Sequence, residues 1–181
     1  MSTQITISEA KSNVVYLQTT GSAVITGNSP ISLIASGIGS LVIPANTLVE
    51  GTTYRYSMGG ILDNDNVSGE VVKFAIGLDN FIPVSLTGPT TLQYSMPPLN
   101  NVYFKIEGEF TITNSGSVLT SVLFTCGDNA VPVVPNTTSA YSSAAIIDVT
   151  VPYTFALAAG FGSALGTNKI GSWTFILEKI K

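Results

Sequence analysis

Apolar and polar residues alternate with period two along most of this chain. The clearest run is 102–112, VYFKIEGEFTI, where Val102, Phe104, Ile106, Phe110 and Ile112 point one way, with Gly108 in their row. Tyr103, Lys105, Glu107, Glu109 and Thr111 point the other way. That spacing predicts a strand with one dry and one wet or interfacial face. Asn114-Ser-Gly then turns the chain, and Ser117–Cys126 returns as a hairpin partner. Glu70–Leu78 repeats the pattern with Val72, Phe74, Ile76 and Leu78.

Further strands are predicted at 24–26, 31–35, 39–43, 52–58, 81–86, 145–157 and 173–180. Pro83 and Pro152 suit edges or breaks, because proline cannot donate to a ladder. In the last run Trp173, Phe175 and Leu177 share one row, and Ile176 and Ile180 the other. No stretch shows a helical period with caps. About nine short strands divided by Gly, Pro and Asn turns predict an all-β protein, an antiparallel β-sandwich of jelly-roll type.

Some strands are apolar on both rows. Residues 117–126 carry Val118, Val122 and Phe124 on one face and Leu119 and Leu123 on the other. A lone antiparallel strand turns its second row to water. The second apolar row therefore marks Leu119, Leu123 and Ile176 as candidate oligomer contacts. A homo-oligomer is expected, a trimer before a pentamer.

Composition sharpens this picture. Of 181 residues only 10% are charged, against about a quarter in an average domain. Low charge suits a hydroxyl- and amide-faced sheet and leaves room for protein contacts. The formal net charge is −4, with seven scattered basic residues, so no groove for phosphates is expected and no nucleic-acid partner. No apolar run reaches the ~18–20 residues of a membrane span, and none is expected to insert. The start, MSTQITISEAKSN, lacks the basic and apolar regions of a signal peptide. Residues 1–20 are set apart as an N-terminal arm or first strand, with one domain over 21–181.

Catalytic chemistry finds little to work with. The chain has no histidine and a single cysteine, Cys126, which ends the apolar run VLFTC. A nucleophile needs a base, so Cys126 reads as a buried inert thiol. Glu107 and Glu109 share a strand face but lack an evident partner across a cleft. No catalytic, cofactor-binding or metal residue is assigned, and no enzyme is expected. Residues 63–70, DNDNVSGE, resemble half of a calcium loop, but the glycine is misplaced, and a hairpin tip reads as well. Whether they bind a cation stays open. Tyr94 and Tyr141 fall in predicted loops and are the candidate contacts for a receptor or glycan. The long stretch 127–143 reads as a crossing loop.

One stretch resembles a known group. Gly39-Ser-Leu-Val-Ile-Pro-Ala-Asn-Thr-Leu-Val-Glu-Gly-Thr-Thr-Tyr-Arg-Tyr, followed by Ser57-Met-Gly-Gly, is similar to a pattern in small viral jelly-roll domains. These are head, fibre or capsid-decoration domains of phages and giant viruses, with an architecture like the trimeric TNF and C1q domains. Gly171-Ser-Trp-Thr-Phe-Ile-Leu-Glu resembles their final central strand. The resemblance implies a virion structural protein, a fibre head or a capsid decoration or penton component. Its partners would be copies of itself, other virion proteins and a host surface receptor or glycan. The alternative is a carbohydrate-binding, lectin-like module of the same fold. In the resemblance Gly59 marks where the Tyr-Arg-Tyr strand ends.

Overall fold

The computed structural model describes residues 13–64, 70–78, 81–84, 92–96, 99–113, 116–127, 137–163 and 167–180, with backbone alone at 81–84, 99–100 and 137–146. The strands are β1 (Val14–Gln18), β2 (Ile31–Ser32), β3 (Gly37–Gly39), β4 (Val42–Ile43), β5 (Thr53–Asn64), β6 (Glu70–Leu78) and β7 (Phe81–Val84). They continue as β8 (Leu92–Met96), β9 (Leu99–Ile112), β10 (Ser117–Gly127), β11 (Thr137–Ile146), β12 (Tyr153–Phe161) and β13 (Lys169–Lys179). The protein is all-β, an antiparallel β-sandwich of two sheets, with no helix among the described residues.

One sheet has seven strands in the order β11-β10-β9-β5-β13-β1-β3. The other is built on the pair β12–β6. β2 and β4 pair with β12, and β7 and β8 pair with β6. β13, last in sequence, lies between β5 and β1 in the middle of the large sheet. β1 thus belongs to the sandwich, and residues 1–12 lie outside the described residues.

The core follows from the alternation. Tyr54, Tyr56, Met58 and Leu62 of β5 face Phe74, Ile76, Phe155 and Leu157 of the second sheet, all nearly sealed from solvent. Aromatic rings tie the layers together. Phe155 packs on Phe110 at 5.8 Å, on Phe175 at 5.6 Å and on Tyr56 at 5.1 Å between centroids. Gly108 stands in the inner row where a Cβ would come within 2.3 Å of the Tyr56 hydroxyl. That hydroxyl uses the space to donate to the Ser121 carbonyl at 3.4 Å. At one end of the sandwich a buried carboxylate, Glu70, accepts from the Val71 N–H at 2.9 Å, from Asn168 Nδ2 at 3.3 Å and from the Ser163 hydroxyl.

The run expected as one strand over 39–43 is two. β3 joins the large sheet through β1, and β4 joins the small one through β12. The chain changes sheets at Ser40–Leu41, where Ser40 Oγ accepts from the Val42 N–H at 3.0 Å. Residues 44–52 then carry it back. Thr47 Oγ1 donates to the Pro44 carbonyl at 2.6 Å, and the Asn46 N–H donates to Val149 O at 2.6 Å. Asn46 and Gly51 adopt the left-handed backbone, at φ 62° and 78°. Leu48, 1% exposed, fills the core from inside this corner.

Four expectations are corrected. β5 does not end at Gly59 but runs on to Asn64, because Gly59 and Gly60 pass the crowded flank of β13 without side chains. The 127–143 loop contains part of β11, which pairs with β10 from Ser117↔Ile146 to Phe124↔Thr137; residues 128–136 lie outside the described residues. The strand expected over 145–157 is interrupted at 147–152, where Asp148 Oδ1 accepts from Thr150 N and Oγ1 at 2.9 and 2.6 Å. Those bonds, the hydroxyl's first, hold the Asp148 carboxyl below its ordinary pKa. Finally, the 173–180 row is broken by a bulge between Ser172 and Thr174, so Trp173 leaves the row of Phe175 and Leu177.

Candidate functional site

The outer face of the seven-stranded sheet carries most of the exposed chemistry. Strand register sets it out in rows. One row reads Ser121, Glu109, Arg55, Glu178; the next reads Leu123, Glu107, Ser57, Ile176, Leu17. A third reads Thr125, Lys105, Gly59, Thr174, and a fourth Tyr103, Ile61, Gly171.

Leu119, Leu123 and Ile176 all lie on this face. Leu119 is 47% exposed between Thr111 and Ser142, and Leu123 and Ile176 are half-buried in the second row. Two ion pairs lie on this face. Arg55 Nε and Nη2 both donate to Glu109 Oε1, at 2.8 and 2.7 Å. Lys105 Nζ lies 2.7 Å from Glu107 Oε1. The two glutamates thus meet cations on their own face rather than each other. A shallow depression of about 250 Å³ lies over Arg55, Glu107, Glu109, Ser121 and Leu123.

A second depression, about 300 Å³, opens toward the far end of the same strands. Ser57, Gly59, Tyr103, Lys105, Trp173 and Thr174 line it. Tyr103 is 53% exposed and Trp173 51%, and their rings meet edge to face, 5.7 Å apart at 71°. Large aromatics usually bury most of their surface, so two half-open rings in contact stand out. The bulge in β13 is what turns Trp173 outward. Sequence reasoning put Tyr103 on the wet or interfacial face of its strand but Trp173 in one row with Phe175 and Leu177, because a period-two count cannot foresee an inserted residue.

The tyrosines named from sequence fare differently. Tyr94 is not in a loop. Leu92, Tyr94 and Met96 alternate inward along β8, and Tyr94, 5% exposed, packs on Phe124 at 5.1 Å. Burial pushes its phenol up to about 12. The signal was present in the alternation of LQYSM. Tyr141 lies in β11 opposite Thr120, and its side chain is outside the described residues.

Cys126 is buried on the inner row of β10, and burial pushes its thiol up to about 11. A thiol shifted that way is a poor nucleophile. Of the half calcium loop, residues 65–69 lie outside the described residues. Asp63 lies 3.9 Å from Lys169 Nζ, and Glu70 is held as described above. No metal-binding group of three or more His, Cys, Asp or Glu gathers among the described residues. No described helix is long and apolar enough to cross a membrane.

No protein-family model matches the chain, and no curated protein matches it by sequence. Among solved structures it is similar to the lectin UEA-II complexed with galactose, with a TM-score of 0.47 and 9% identity over 92% of each chain. Arcelin-5, a lectin-like defense protein from Phaseolus vulgaris, gives 0.42 and 10% over 94% of each. The CBM2 module of the evolved Dit of Lactobacillus casei BL23 phage J-1 gives 0.41 and 12%, over 93% of this chain and 96% of that one. At such scores these likenesses carry no argument about ligand or role.

Proposed function

We propose that the chain is a non-enzymatic structural protein of a virion, a homo-oligomer that associates through the outer face of its seven-stranded sheet. The observation carrying the oligomer is the apolar content of that face. Leu119, Leu123, Ile176 and Leu17 stand where an isolated antiparallel sheet presents polar groups to water. A symmetry mate covering them supplies the missing partner. The virion setting rests on the resemblance of residues 39–60 and 171–178 to viral jelly-roll domains. Other virion proteins and a host surface receptor or glycan are its partners in this reading.

Light scattering tests the assembly. A mass three times 18.9 kDa supports the trimer, five times supports a pentameric ring, and a mass near 18.9 kDa refutes association. Leu119→Asp and Leu123→Asp should each split the oligomer, since each would bury an unpaired charge. An antibody against the chain should label purified particles; unlabelled particles would overturn the virion reading.

A second reading, a carbohydrate-binding module, is favoured by one specific observation: the half-open Tyr103–Trp173 pair beside a neutralised ion pair.

A further inference from the structure

We infer that the depression between Tyr103, Trp173 and the bare backbone of Gly59 is a binding site for one pyranose ring of an uncharged glycan. The inference rests on the carbohydrate-binding reading and names its site. Three features of the depression converge on that ligand class.

The first is its walls. The planes of Tyr103 and Trp173 stand at 71°, so they form a corner rather than a flat shelf. A pyranose has an apolar C–H face and a rim of hydroxyls. One ring of such a corner takes the C–H face and the other meets its edge. The indole N–H and the phenol O–H are the hydrogen-bonding groups of the two rings.

The second is its floor. Gly59 lies in the outward row between Lys105 and Thr174. A Cβ there would sit 3.0 Å from Thr174 Oγ1, so even the smallest side chain begins to fill the space. Its backbone is extended, with no positive φ to demand glycine. The glycine therefore keeps the depression open rather than relieving a turn.

The third is charge. Among the described residues Lys105 is the only cation lining the depression, and Glu107 pairs with it at 2.7 Å. A phosphate or sialic acid would have to break that pair, and so would a nucleic-acid strand, which also needs unpaired cations along its track. A polyol does not. Within the depression the Lys105 ammonium offers donors to a sugar hydroxyl, and the hydroxyls of Ser57 and Thr174 both donate and accept. A volume of about 300 Å³ admits a sugar ring and sits at the small end of ligand pockets.

Trp173 is the only tryptophan among seven tyrosines, so emission excited at the red edge, where tyrosine does not absorb, reports on this site alone. The experiment screens the protein on a glycan array and then titrates it with neutral oligosaccharides built on galactose, glucose and mannose. The expected result is array binding to one neutral sugar class, with a saturable change in Trp173 emission. Tyr103→Ala should weaken binding at least tenfold. Gly59→Val, a filling variant whose folding is checked by its melting temperature, should abolish it with both aromatic rings intact. No binding on the array overturns both the module reading and this site. Array binding with unchanged Trp173 emission and a fully active Gly59→Val variant overturns the site alone. An emission that shifts with protein concentration, together with an oligomer that Trp173→Ala dissolves, overturns it in favour of a second copy of the chain.

Discussion

The hydroxyl of Tyr56 occupies the space that any residue but glycine would claim at position 108. A Cβ on Gly108 would meet that oxygen at 2.3 Å and the Ser121 carbonyl at 2.4 Å. Gly108→Ala should therefore destabilise the protein by about 1–3 kcal/mol through overpacking. Urea denaturation measures it. Adding Tyr56→Phe should recover little of the loss, since the ring Cζ that phenylalanine keeps stands 2.4 Å from the same Cβ.

Leu48 is the core residue supplied by the corner between β4 and β5. Leu48→Ala should cost about 2–5 kcal/mol, the range for emptying a packed leucine site. A shift in the denaturation midpoint too small to resolve would falsify its role as the corner's anchor.

Alkaline pH should weaken the fold. Burial raises Cys126 from 9.0 to about 11 and Tyr94 from 10.0 to about 12, and it raises Tyr56 still further. Each group holds its proton more tightly folded than unfolded. Its stabilisation is complete below the unfolded value and is lost as pH climbs through the folded one. Denaturation midpoints should hold at pH 8, begin to fall above pH 9 and fall more steeply above pH 10. Cys126→Ala should remove the earliest part of the decline. A thiol reagent at pH 8 should label Cys126 only after unfolding.

The Arg55–Glu109 pair should matter little to the stability of the separated chain, although its row lies between Leu119 and Leu123 in the face proposed to be covered in the oligomer. Its side chains are 56% and 42% exposed, and exposed pairs contribute at most about 1 kcal/mol. In the dissociated Leu123→Asp background, Glu109→Gln should leave the melting temperature within a degree or two. A much larger drop with the oligomer intact would report burial of the pair in the assembly.

The sandwich was legible from sequence because its two-residue rhythm is strong where packing is tight. β6, β9 and β10 lie where alternation put them, and Leu119, Leu123 and Ile176 stand on the outward face. Rhythm fails where the backbone departs from it. The bulge at 172–174 hid the fact that Trp173 leaves the row of Phe175 and Leu177 for the outer face. Tyr94 was misplaced for the opposite reason, since a short alternating strand between turn-like residues was read as loop. β11, with TTSAYSSAAI, has few large apolar residues to announce it. The Lys105–Glu107 and Arg55–Glu109 pairs were beyond reach because one depends on rotamers and the other on register between strands 54 residues apart.

The place of β13 also bears on how the chain comes off the ribosome. Its slot between β5 and β1 stays vacant until the twelve described strands before it have been synthesised. During that interval β5 offers twelve residues of open edge, and an open edge can recruit the same segment from a neighbouring nascent chain. Slow translation or crowded polysomes should then favour strand-exchanged species. The late strand that completes the native sheet is also the step at which assembly between chains competes with folding within one.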